Sequence, residues 1–475
     1  MSKIIIGRES ERAIINERYL SVNSEFIAIT GRRRVGKTYL INAHFEKEIN
    51  FHFSGVLNAT MNQQLQSFHY QFCKFFKSPN SVIIPSNWMD AFIMLSKQLD
   101  RSRQKSKKVI FIDELPWLDT HKSNFLAALE WFWNSWAIHN NVLLIVCGSA
   151  TSWIINKIVN NKGGLHNRLT QRIHLLPFTL KEANDFLKYN KIKLSAHQMT
   201  QLYMALGGIP HYLKEVKPGE SAMQTIERVC FHKDGLLVNE FENLYSALFK
   251  NPENHLKVVH ALSKKNKGLS RKEIIETTRL KDGGALSVIL EELDWCNFIT
   301  VTQSFGKTKK DSIYRLTDEF SLFYLKFMFR KNTVNWQQLA ATPKWKSWAG
   351  YVFENICFKH LPQIKKSLGI EGVFTEFLSF QFLGNENQSG AQIDLLIDRN
   401  DGIINLCEIK FYDKKYILTK VEAQKIEHRV AVFKQKTKTQ KTIFPTLITT
   451  FGLNHNEYSV GLIQQELSIE RFMFL

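Results

Sequence analysis

The stretch Gly31-Arg32-Arg33-Arg34-Val35-Gly36-Lys37-Thr38 satisfies the spacing G-x-x-x-x-G-K-[ST] at each fixed position. Ahead of it, Phe26-Ile27-Ala28-Ile29-Thr30 is a short apolar run that predicts a buried strand. Behind it, Tyr39, Leu40, Ile41 and Phe45 recur at helical spacing. Strand, glycine loop and helix make a phosphate cradle. Glycines let backbone N–H groups close on phosphate oxygens, and the helix N-terminus adds the positive end of its dipole. Gly31, Arg34 and Gly36 lie in the loop that would wrap the phosphates of ATP. Lys37 would reach the β- and γ-phosphates, and the Thr38 hydroxyl would ligate Mg²⁺. The motif marks a nucleotide-binding chain.

Downstream, Val109-Ile110-Phe111-Ile112-Asp113-Glu114 is four apolar residues followed by two acids. A buried parallel strand would deliver both carboxylates at its C-terminal end, where ligands bind in doubly wound sheets. Asp113 would hold Mg²⁺ through water, and Glu114 would orient the attacking water. A third apolar run, Val142 to Cys147, leads into Gly148-Ser149. Ser149 would either sense the γ-phosphate or cap the next helix. Alternating strand and helix patterns predict a parallel sheet between helices. Arg168, ahead of Arg172, is the candidate arginine finger, in the segment His166-Asn167-Arg168. A finger acting on a neighbour's nucleotide would make the protein a homo-oligomer. Gly207-Gly208-Ile209-Pro210 breaks a helical region and would fix a loop in a small lid.

From about Asn254 to Tyr324 the pattern is helix, turn, helix, hairpin. Ser270 and Glu273 form a capping box, a second helix spans Ala285 to Leu293, and Phe298–Thr302 and Ser312–Leu316 read as a two-stranded wing. Lys307, Lys309 and Lys310 in the wing, with Arg271, Lys272 and Lys281, suit phosphate contacts; interdomain packing is the other use of such a module.

In the last third, Gln392 to Asp398 and Ile403 to Lys410 are strands joined by Asn400-Asp401-Gly402. A three-residue loop with Gly402 left-handed sets Asp394 opposite Glu408, with Lys410 on the same face. Two carboxylates bind a hard divalent metal, and a lysine beside them stabilises developing phosphorane charge. Glu354, set among Val352, Phe353, Ile356 and Phe358, is a candidate third member. This is a phosphodiester-cleaving constellation for Mg²⁺, with Mn²⁺ as the alternative metal.

At 475 residues the chain exceeds one ordinary core, so about three or four domains are expected. A net charge of +19 favours a polyanionic partner, nucleic acid ahead of membrane surface. The six cysteines show no C-x-x-C pair, which argues against disulfides or zinc and for a reducing cytosol. No signal-peptide pattern opens the chain and no apolar run reaches the ~18 residues of a membrane span. A soluble cytoplasmic protein is expected.

Together with Gly7-Arg8-Glu9, Cys147-Gly148-Ser149 and Gly208-Ile209-Pro210, the loop and the Ile112-Asp113-Glu114 strand end resemble the archaeal-type P-loop ATPases of the STAND/AAA+ group, akin to the origin-recognition initiators. Asp394 and Glu408-Ile409-Lys410 resemble the PD-(D/E)XK nuclease motif, without its proline. The resemblance implies an α/β multidomain chain. Its parts would be a RecA-like ATPase core over 1–165, a helical lid over 166–235, a winged helix over 236–330 and a restriction-endonuclease-like domain over 331–475. It also implies that Gly7, Arg8 and Pro210 lie near adenine. The function expected is an ATP-hydrolysing switch coupled to a Mg²⁺-dependent DNA nuclease. The alternatives are a DNA-binding regulatory ATPase whose nuclease-like domain is a non-catalytic platform, and a signalling ATPase with a protein partner.

Overall fold

The computed structural model describes residues 4–77, 83–101, 106–160, 163–165, 167–303, 305–306, 311–329, 336–340, 342–384 and 389–474. His166, Lys307, Lys309 and Lys310 lie outside these residues. The chain divides into two compact units, Met1–Leu176 and Pro177–Leu475.

The first unit is built on a five-stranded parallel sheet. Its strands are β1 (Glu25–Thr30), β2 (Ile49–Ser54), β3 (Lys108–Asp113), β4 (Val142–Cys147) and β5 (Gln171–His174), in the order β2-β3-β4-β1-β5. β1 and β4 are buried along their whole length, which is why they are written as apolar runs and not as alternations. Helices Met61–Phe76, Trp88–Asp100 and Phe125–Ser135 seal one face through Phe68, Trp88, Phe92 and Phe132. In register, Ile29 lies beside Cys147 and Ile112 beside Val146, so the loops leaving β1, β3 and β4 emerge together at one sheet edge. β5 lies beyond residue 165, where the core was expected to end. It pairs with β1 from Ile27 to Thr30 and completes the sheet.

The second unit opens with helices Leu180–Tyr189 and Ala196–Leu206 and the short turn of helix Pro210–Leu213. Helices Pro252–Ser263, Arg271–Thr278 and Gly284–Trp295 follow. With them goes an antiparallel sheet of β6 (Leu269–Ser270), β7 (Ile299–Thr302) and β8 (Ile313–Leu316), ordered β6-β8-β7. The Ser270 capping box is formed as the sequence spacing predicts.

A second five-stranded sheet takes the C-terminal part. It contains β9 (Thr375–Phe382), β10 (Ala391–Arg399), β11 (Ile403–Lys410), β12 (Thr442–Thr449) and β13 (Gln465–Ser468), in the order β13-β12-β11-β10-β9. Its first three strands are antiparallel and its last three parallel, with helix Lys420–Thr437 as the crossover between β11 and β12. The β10–β11 loop is Asn400-Asp401-Gly402, with Gly402 at φ 84°. Leu395 pairs with Cys407 and Leu396 with Leu406.

The segment after β7 docks on the edge of this sheet. Phe305 N–H donates to the Ser379 carbonyl at 2.8 Å, Ser379 N–H donates to Gln303, and the Phe305 ring meets Phe433. Through these contacts the segment after β7 packs on the C-terminal sheet.

Candidate nucleotide site and a second charged site

Three strand ends build the first site. The loop after β1 takes backbone angles that most side chains resist: Gly31 φ 141°, Arg34 φ 72° and Gly36 φ 97°. At Gly31 a Cβ would lie 2.4 Å from the Leu175 carbonyl oxygen, so only glycine fits. Gly36 precedes helix Lys37–His44. The buried Lys37 ammonium donates to the Gly31 and Arg32 carbonyls, at 2.8 and 3.0 Å, and so stands inside the loop.

Thr38 Oγ1 donates to Asp113 Oδ2 at 2.7 Å, which joins the two expected Mg²⁺ ligands across the cleft. The other Asp113 oxygen accepts the Glu114 N–H at 2.9 Å and the Cys147 thiol at 2.6 Å. Burial first, then Asp113, raises the Cys147 pKa, so the thiol stays a donor. Glu114 sits at φ 46° and accepts from Ser149 twice, N–H to Oε2 at 2.9 Å and Oγ to Oε1 at 2.5 Å. Ser149 therefore holds Glu114. The helix after it, Thr151–Ile154, has no side-chain cap from Ser149. A hydroxyl, a carboxylate and an ammonium thus face one phosphate-sized cradle, a donor set that fits Mg²⁺-nucleotide.

Gly7 and Arg8 both have positive φ, and Arg8, buried, donates to the carbonyls of Val35 and Leu176. The N-terminal segment is thereby tied to the phosphate loop itself. Arg168 is exposed on the turn before β5. Pro210 opens its short helix in the second unit. Sequence reasoning passed over Cys147 as an Asp113 donor and His174, whose Nδ1 lies 3.0 Å from Thr30 Oγ1. The first could have been found from its place at the end of an apolar strand; for His174 no such signal exists.

The second charged site lies in the C-terminal sheet. Lys410 Nζ is 2.8 Å from Glu408 Oε1, and Arg429, on helix Lys420–Thr437, binds the other Glu408 oxygen. Burial acts to lower the Lys410 pKa, but Glu408 outweighs it and the net shift is upward. Gln392 Nε2 donates to Asp394 Oδ1 at 2.6 Å. Burial, followed by Asp394, pushes the Glu354 carboxyl up to about 8, with Glu408 adding to the rise and Arg315 and Lys410 opposing it. Asp394, Glu354 and Lys410 line one cavity of about 450 Å³.

Glu354, the candidate third member of the site, lines the cavity beside Asp394 and Lys410. Among the described residues no three His, Cys, Asp or Glu side chains form a group that could hold a metal ion. Glu408 is engaged by Lys410 and Arg429, and the nearness of Asp394 and Glu408 adds to burial in raising the Glu354 pKa. Arg271, among the cations expected to suit phosphate, is tied to Asp282 at 2.7 Å and to the Gly283 carbonyl, where it braces the turn between two helices. Arg429 and Arg315 carried no sequence signal, since each reaches the site from a distant element.

Residues 6–216 match the profile described as "ATPase domain predominantly from Archaea". Over these residues the chain is similar to archaeal ATPase domains, and its first unit has a parallel-sheet P-loop fold. An uncharacterized protein of Methanocaldococcus jannaschii is 26% identical over 427 residues, which cover 87% of this chain and 88% of that protein. Among solved structures, a Walker-type ATPase of Pyrococcus abyssi aligns with TM-score 0.51 and 16% identity, over 68% of this chain and 96% of that one. The ORC2 protein of Aeropyrum pernix aligns at 0.43 and 13% identity, over 72% of this chain and 97% of that one. No described helix is long and apolar enough to cross a membrane.

Proposed function

We infer that this protein is an ATP-hydrolysing switch whose second unit carries a nuclease-type site for nucleic acid. The observation that carries the reading is the cluster at the β10–β11 hairpin: Asp394, Glu354 and Lys410 line one cavity, and Lys410 Nζ lies 2.8 Å from Glu408. On this reading residues 166–235 serve as lid, 236–330 as winged helix and 331–475 as the nuclease-like domain.

In the ATPase domain, Mg²⁺ when bound neutralises phosphate charge, and Thr38 and Asp113 are the residues that would hold it. Lys37 leaves its loop carbonyls for the phosphate oxygens. Glu114, oriented by Ser149, takes the proton direction of the attacking water. Gly7 and Arg8 frame the base, and Arg168, being exposed, is available to a neighbouring copy. In the second unit Asp394 and Glu408 would hold a divalent cation, Mg²⁺ or Mn²⁺, that supplies Lewis acidity. Lys410 stabilises charge on the phosphate under attack.

A second reading rests on Glu408 being held by both Lys410 and Arg429: a regulatory ATPase whose nuclease-like sheet only binds DNA. Plasmid cleavage with Mg²⁺ or Mn²⁺, with and without ATP, separates the two. Cleavage that disappears in Lys410→Ala and changes in Lys37→Ala supports the nuclease. Intact ATP turnover without cleavage under any of these conditions leaves the regulatory ATPase.

A further inference from the structure

Arg315 is a single cation within the short strand β8, in the sequence Ile313-Tyr314-Arg315-Leu316. Only 4% of it is exposed, yet its Nε and Nη1 have no hydrogen-bond partner. Its guanidinium lies 4.9 Å from the centre of the Phe358 ring, and Glu354 is an electrostatic neighbour. A buried guanidinium that leaves two donors unmade is costly, because those donors have lost water and gained nothing. Structural arginines at domain joints normally spend their donors on carbonyls or carboxylates. Here the packing supplies only a ring face and an acid that is itself largely protonated.

The side chain lines two adjoining cavities, of about 460 and 450 Å³, and both also contain Lys267 and Asp394. The second adds Lys346 and Lys410, with Glu354 and Glu422 as its other acids. Lys265, at the rim of the first, is already paired with Glu273. Lys410 is paired with Glu408, so the cations that remain to face a ligand are Lys267 and Arg315 from the helix-helix-hairpin module and Lys346 from the C-terminal part. A planar guanidinium is the side chain best shaped to take two oxygens of one phosphate.

We propose that the paired cavities bind a phosphodiester of a nucleic-acid strand, with Arg315 as its buried anchor and Lys267 as its outer contact. The site is then composite: the helix-hairpin module contributes the phosphate grip and the C-terminal sheet contributes Asp394 and Lys410. The proposal rests on the reading that the second unit engages nucleic acid, but not on cleavage.

The test uses the full chain and a fluorescein-labelled oligonucleotide, single-stranded and duplex, in EDTA so that no cleavage occurs. Affinity is measured across a salt series for the wild type, Arg315→Gln, Arg315→Lys and Lys267→Gln. Arg315→Gln is expected to weaken binding by roughly tenfold or more and to lower the slope of log K against log salt by about one. Arg315→Lys should restore the slope but not the full affinity, because an ammonium cannot grip two oxygens in a plane. Inorganic phosphate added at matched ionic strength distinguishes the strand from the free ion. Weak competition supports a strand site, whereas complete displacement at low millimolar phosphate overturns it in favour of a small-anion site.

An unchanged salt slope in Arg315→Gln, with only a lowered melting temperature, assigns the residue to packing and overturns the proposal. Should Arg315→Gln fail to fold, the exposed Lys267 carries the test, and an unchanged slope in Lys267→Gln is equally fatal. Loss of binding in these variants without any cleavage by wild type would remove the nuclease reading and leave this site standing.

Discussion

At the scale of single residues, the nucleotide site separates holding from turning over. Lys37→Ala removes the phosphate contact, so ATP binding should fall by at least about tenfold and turnover should vanish in a phosphate-release assay. Unchanged turnover would remove the foundation of the ATPase assignment. Glu114→Gln keeps the shape of its hydrogen bonds to Ser149 but cannot accept a proton. It should bind ATP normally and hydrolyse it roughly a hundredfold more slowly, within the range for loss of a general base.

Gly31→Ala meets the Leu175 carbonyl, whereas at Gly36 an added Cβ meets nothing within 4 Å. Both carry the φ strain, so Gly31→Ala should be the more destabilising of the two in urea melts.

One histidine makes a pH prediction. His360 Nε2 accepts from the Leu180 N–H at 2.8 Å and its Nδ1 donates to the Ile356 carbonyl at 2.7 Å. Burial pushes its pKa down to about 4 from the ordinary 6.5. Between those values the unfolded chain binds the proton and the folded chain resists it. The resulting stability, about 3 kcal/mol at most, is complete above pH 6.5 and is lost as pH falls toward 4. His360→Gln should flatten that part of the melting-temperature profile. A profile as steep as wild type would show that other groups account for it.

At the scale of elements, legibility followed sequence distance. The phosphate loop, the strand ending at Asp113 and the β10–β11 hairpin could be read directly. Each is set by neighbours within a few residues and by a period of two or a required glycine. The turn residues Asn400-Asp401-Gly402 join β10 to β11 as their composition predicts. Arg429 at Glu408, Gln392 at Asp394 and Arg315 over Phe358 could not be read, because each contact depends on how separate elements pack. The charge of Glu354 could not be read for the same reason: its apolar surroundings were visible, but their effect on its carboxyl needed the whole environment. Phe305 is the element-scale test. It is partly buried against the core of the C-terminal sheet, and Phe305→Ala should cost the second unit about 2 kcal/mol, below the full-burial range, in chemical denaturation. An unchanged midpoint would detach the hairpin from the sheet.

At the scale of the whole molecule, a charge of +19 is spread over a chain with two chemical sites. Binding to duplex DNA should weaken steeply as salt rises, whatever the sequence of the duplex. Affinity that does not change with salt would point instead to a protein partner.

The hairpin that follows β7 has a consequence for how this chain can be divided. β9 ends its sheet, and two of its backbone groups, both on Ser379, are satisfied by Gln303 and Phe305. Cut away from that hairpin, the C-terminal sheet would present a bare edge strand carrying Phe377, Leu378 and Phe380, a ready template for pairing with another copy. A gene fragment beginning at residue 331 would therefore tend to self-associate, and one beginning before Pro252 would remain dispersed. The boundary drawn by chemistry and the boundary along which the polypeptide can be safely severed are different lines.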